Sequence, residues 1–126
     1  MTPLHLNSRA LIGGTLIAVA GELDATNTDH LAAYIEAEHP RPELPLVLEL
    51  SELTFMDSSG LHLLIAQHHR HTAHGAGLHL AAPHERVTRI LEITGVCRLL
   101  HAYATLGQAV VAADLIDPHA VLHNGT

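Results

Sequence analysis

The run Leu44-Pro45-Leu46-Val47-Leu48-Glu49-Leu50 is almost continuously apolar. A strand with one wet face alternates apolar and polar side chains, so a run with so little alternation needs cover on both faces. That requirement belongs to parallel sheets flanked by helices, and the rest of the chain alternates accordingly. Residues 4–12 read as a first strand, Gly13-Gly14 as a turn and residues 16–20 as its hairpin partner. Thr26 and Asp29 have the spacing of a capping box. In the helix they would open, Leu31, Tyr34 and Ile35 recur at helical spacing until Pro40 and Pro42 stop it. Residues 54–60 turn into a second helix with Leu61, Leu64, Ile65 and His68 as its stripe, ended by a left-handed cap at Gly75 or Gly77. Residues 78–82, 83–94 and 99–103 follow as strand, helix and strand, with Gly95 just past the helix. Thr105 and Gln108 open a final helix carrying Ala109, Val110, Ala113 and Leu115.

The order β-β-α-β-α-β-α-β-α predicts an α/β fold. Its mixed, largely parallel sheet has four to five strands and about four helices, and is antiparallel only at the first hairpin. One domain is expected over residues 1–126, with its core over about 4–115 and a loose tail at 118–126.

Composition narrows the function. There is no Trp, one Phe and two Tyr, so aromatic platforms for stacking nucleotide bases are scarce. The six basic residues are all Arg, and the formal charge of −7 repels phosphate backbones. Direct nucleic-acid binding is therefore not expected. Cys97 is the single cysteine, consistent with a reducing compartment. The first residues lack a signal-peptide pattern, and no apolar run approaches the length of a membrane span, so the expected location is the cytoplasm. Protonating all thirteen histidines would carry the formal charge from −7 to +6, which predicts pH-sensitive solubility and binding.

The stretch Val47-Leu48-Glu49-Leu50-Ser51-Glu52-Leu53-Thr54-Phe55-Met56-Asp57-Ser58-Ser59-Gly60-Leu61 closely resembles the signature of STAS domains. The likeness is to the anti-sigma factor antagonists among them. Gly21-Glu22-Leu23-Asp24 resembles the family's motif at the end of the second strand. Residues 91–100 resemble its third-helix ending and last strand, and residues 105–109 the entry to its final helix. The resemblance implies that Ser58, first serine of Asp-Ser-Ser-Gly, is phosphorylated by a partner that is both a serine kinase and an anti-sigma factor. The unphosphorylated form would bind that partner and free a sigma factor; the phosphorylated form would let go, and a serine phosphatase would reset it. The resemblance also implies Asp57, Ser59, Gly60 and His62 as neighbours of the switch and Glu22, Asp24, Thr26 and Leu61 as partner contacts. No cofactor is expected, and the chain is expected to be a monomer or weak dimer. Two departures bear on the partner: His62 stands where relatives often carry a small residue or Arg, and Asn27-Thr28 replaces an apolar or Ala-rich helix start.

These residues suit a switch. A hydroxyl at a strand-to-helix turn is exposed, and Gly60 leaves room beside it for a kinase. Phosphorylation adds roughly −1.5 to −2 charges, which the helix N-terminus can stabilise locally. Beside Asp57, and beside Asp24 if both loops share a sheet edge, that charge would oppose burial against a partner. His62, one turn on, could offer the phosphate a cation when protonated. The competing reading of Asp57-Ser58-Ser59-Gly60 is a plain helix cap, and the two roles are compatible.

Rival functions fit less well. Ser58 and Ser59 lack a Gly-x-Ser-x-Gly elbow, and without any Lys there is no phosphate-binding Gly-Lys loop, so the expectation is a non-enzyme. His68, His71 and His74 have the i, i+3 spacing that could share a metal ion. They read better as polar residues on the solvated half of the helix, so no metal site is expected. A regulatory STAS subunit of a stress-sensing complex or transporter is the remaining alternative.

Overall fold

The computed structural model describes residues 2–118; the part of the expected tail at 119–126 lies outside them. The elements are β1 (His5–Leu11), β2 (Gly14–Leu23), α1 (Thr28–Glu38), β3 (Leu46–Glu49), β4 (Leu53–Met56), α2 (Ser58–Ala73), β5 (Leu78–Ala81), α3 (Glu85–Ile93), β6 (His101–Tyr103) and α4 (Leu106–Ala112). Strands run β1-β2-β3-β5-β6 across the sheet; β1 is antiparallel to β2, and the other pairs are parallel. Leu46, Val47 and Leu48 of β3 are completely buried, as a strand covered on both faces requires. Leu46 and Leu48 join Ile17, Leu78 and Leu80 under α1, α2 and α3, whereas Val47 joins Leu16 and Ala81 under α4.

A sixth strand exceeds the four to five expected. β4 pairs only with the far end of β2, where the register shifts between Gly21 and Glu22. Thr54 is the extra residue, so the strand shows no clean alternation. β2 accordingly runs to Leu23, past the expected end at Ala20. Gly21 makes this extension possible: its φ is +105°, and a Cβ there would fall 2.1 Å from the Pro3 carbonyl oxygen.

Other boundaries moved for local reasons. The capping box at Thr26 does not form; α1 starts at Thr28 after Asn27, which makes no side-chain cap bond. Thr26 turns instead to Asp24, donating from both its backbone N–H and its hydroxyl, while Asn27 Oδ1 accepts from the Asp24 N–H at 2.9 Å. α3 opens at Glu85 rather than Pro83, with His84 Nδ1 accepting from the Arg86 N–H. A 3-10 turn over Val96–Arg98, capped by Leu99, precedes the last strand, which starts at His101 rather than at Leu99. Leu115 lies beyond α4, packed against Ala109 and Ala113. The Thr105 cap stands as read, its Oγ1 accepting from the Gln108 N–H at 3.1 Å. α2 ends as read too, with Gly75 at φ +77° just past it.

Candidate functional site

Leu23 closes β2 and pairs with Met56 at the end of β4, and the Asp57 N–H donates to the Leu23 carbonyl at 3.2 Å. The turn after β2, starting at Asp24, and the turn into α2 therefore stand side by side at one edge of the sheet. Asp57 caps α2: its Oδ1 accepts from the N–H groups of Ser59 at 2.8 Å and Gly60 at 3.2 Å. Ser58 is the first residue of α2 and is exposed, while Ser59 is half-buried. The result is a hydroxyl held at a fixed helix terminus with an acceptor-only carboxylate immediately before it.

Asp24 is buried, and its carboxylate accepts from the Thr26 backbone N–H at 2.9 Å and from the Thr26 hydroxyl. These bonds, the hydroxyl one first, hold its pKa below the ordinary carboxylate value, so it is ionised at neutral pH. Its role in the geometry is to lock the neighbouring turn. Glu22 is half-buried and accepts from the Thr2 N–H at 3.2 Å; Thr26 is exposed. His62 is exposed one turn beyond Ser58.

Two residues differ from their sequence reading. Gly60 is buried and faces the sheet, since a Cβ there would lie 2.5 Å from Met56 Cγ and 2.9 Å from Leu23 Cδ2. It lets the first turn of α2 sit down on β2 and β4; it does not clear space for an approaching kinase. Leu61 is 8% exposed and belongs to the main core, so it offers little as a partner contact. One residue was missed. Phe55, 44% exposed, stands opposite Glu22 on β4 and brings an apolar ring to the edge that carries Ser58. The bulge at Thr54 concealed it.

The histidines of α2 are also corrected. His68 and His71 are buried, not on the solvated half, because the stripe begun by Leu61 and Leu64 continues through them. His71 stacks on His39, with ring centroids 5.1 Å apart, while His68 lies 6.4 Å from the ring of His101. His74 is exposed at the helix end. The three therefore do not converge, and among the described residues no group of three His, Cys, Asp or Glu is arranged to hold a metal ion. Among those residues, too, no helix is long and apolar enough to cross a membrane.

A family model described as the STAS domain matches residues 7–109. An anti-sigma F factor antagonist of Paenibacillus polymyxa is 24% identical over 106 residues, 83% of this chain and 91% of that protein. An anti-sigma-B factor antagonist of Listeria monocytogenes is 29% identical over 84 residues, 67% of this chain and 74% of that one. Among solved structures, an anti-sigma factor antagonist from Mycobacterium paratuberculosis superposes with a TM-score of 0.74 at 24% identity, covering 89% of this chain and 95% of that one. The Bacillus cell fate determinant SpoIIAA in its phosphorylated form superposes with a TM-score of 0.62 at 19% identity, covering 87% of this chain and 98% of that one.

Proposed function

This chain belongs to the STAS domain family, and on that premise we propose that it is an anti-sigma factor antagonist switched off by phosphorylation of Ser58. The observation that carries the reading is the exposed Ser58 hydroxyl at the first position of α2, beside the Asp57 carboxylate. Relatives bearing the antagonist name match over 91% and 74% of their length, and one protein of this fold is known in a phosphorylated form. The partner is an anti-sigma factor that doubles as a serine kinase, and a serine phosphatase restores the binding form. The chain acts in the cytoplasm as a binding module, not an enzyme.

The switch works by charge. Asp57 already occupies the N–H groups of Ser59 and Gly60, so those two donors of the helix end are not free to neutralise an incoming phosphate. Roughly −1.5 to −2 charges would be added beside an existing carboxylate, on a surface that must shed water to bind. Like-charge repulsion and desolvation both oppose binding. Incubating the chain with candidate kinases and ATP, then reading intact mass and mapping phosphopeptides, tests the assignment. The expected result is one phosphate, on Ser58; modification confined to Ser59, Thr54 or another position would overturn it.

A further inference from the structure

We propose that His39 and His71 form a proton-operated latch between the C-terminal ends of α1 and α2, closed while both imidazoles are neutral and opened when either takes a proton. Both rings are almost wholly enclosed, His39 at 2% exposure and His71 at 1%, and they lie face to face with an interplanar angle of 19°. Their hydrogen bonds fix a single neutral form. His39 Nε2 lies 2.9 Å from the Leu44 carbonyl, which can only accept, so Nε2 carries the proton. Nδ1 is then the acceptor for the Thr15 hydroxyl at 2.8 Å. His71 Nδ1–H donates to the Gln67 carbonyl at 2.8 Å, leaving Nε2 as a bare lone pair, buried without a partner.

A second proton has no place in this arrangement. On His39 it would require the Thr15 hydroxyl to turn and give up its bond. On His71 it would bury an N–H with no acceptor, a costly state. Two charged rings at this separation would also repel. The charged and titratable groups facing the pair offer little relief. Arg70 and His74 come from α2, and Arg70 repels a charge on either ring. Glu43, in the connection to β3, is the one group among these that attracts it, but this exposed carboxylate is paired with Arg41 Nε at 2.6 Å. β2 contributes the Thr15 hydroxyl. Burial first, then neighbouring positive charge, holds both imidazoles below their ordinary value.

The latch fastens two helix ends. The His39 N–H closes α1 on the Ile35 carbonyl at 2.7 Å, and the Ala76 N–H closes α2 on the His71 carbonyl at 2.9 Å. Imidazole NMR of the full chain between about pH 8 and pH 5 should show both rings neutral at pH 7 and titrating below about 6.5. Amide exchange at His39 and Ala76, corrected for its intrinsic rate, should accelerate by up to about a hundredfold per unit fall in pH, two protons being taken up, once acid opens the pair. His71→Phe keeps a flat ring and removes one proton site, so the pH dependence of exchange at His39 should become shallower. Rings that both titrate at about 6.5, or amide exchange at these positions that ignores pH, would overturn the proposal. If His71→Phe does not fold, the titration of the native rings decides it alone.

Discussion

A phosphate on Ser58 meets the Asp57 carboxylate before it meets any partner, because that carboxylate already holds the N–H groups of Ser59 and Gly60. Ser58→Ala should therefore keep partner affinity within a few-fold of the native chain yet resist kinase-driven release. Ser58→Asp should weaken binding by tenfold or more, about 1.4 kcal/mol, without loss of helix signal. Calorimetry against the kinase partner, with circular dichroism alongside, separates these outcomes; Ser58→Asp binding at native affinity would contradict the charge argument. The place of Ser58 at the head of α2 was legible, because Asp57 is a residue type that caps helices and an apolar stripe at helical spacing begins just after it. The inward turn of Gly60 was not legible. It depends on how far α2 sinks onto Leu23 and Met56, and no local pattern records that distance.

At the scale of elements, burial on both faces is what made β3 readable, since such a strand has no alternation to lose. β4 was hidden for the opposite reason: four residues long, bulged at Thr54 and paired only with the end of β2, it carries neither a period-2 pattern nor an apolar run. His68 and His71 were misread because imidazole counts as polar in a stripe, although a neutral ring buries well once its N–H finds a carbonyl. The seating of α2 on β2 and β4 gives a direct test. Gly60→Ala gains helix propensity of about 1 kcal/mol but drives a methyl into Met56 and Leu23, an overpacking that costs about 1–3 kcal/mol. Urea unfolding should show a net loss of up to about 2 kcal/mol; a stabilised variant would mean that α2 shifts freely on the sheet.

The parallel sheet gives the molecule two ends of different chemistry. Ser58 stands where β2 and β4 finish, whereas the buried histidines gather where β2, β3, β5 and β6 begin, around Thr15, Leu46, Leu78 and His101. Helix α2 spans the gap, with His71 thirteen residues after Ser58, about 20 Å along the axis at 1.5 Å per residue. His39, His68, His71 and His79 all have pKa values lowered chiefly by burial. In the unfolded chain these rings protonate near 6.5, while in the folded chain they stay neutral to lower pH. The unfolded state therefore takes up more protons in that window. The stability these four rings contribute is whole above about pH 6.5 and drains away as pH falls toward their folded values. Urea midpoints at about pH 7.5, 6.5 and 5.5 should fall in that order, and the steepest change should come below 6.5. Groups so far apart, with no shared partner, contribute additively. Ser58→Asp should follow the same pH curve displaced by a constant, and a curve of altered shape would show that the two ends of α2 are coupled.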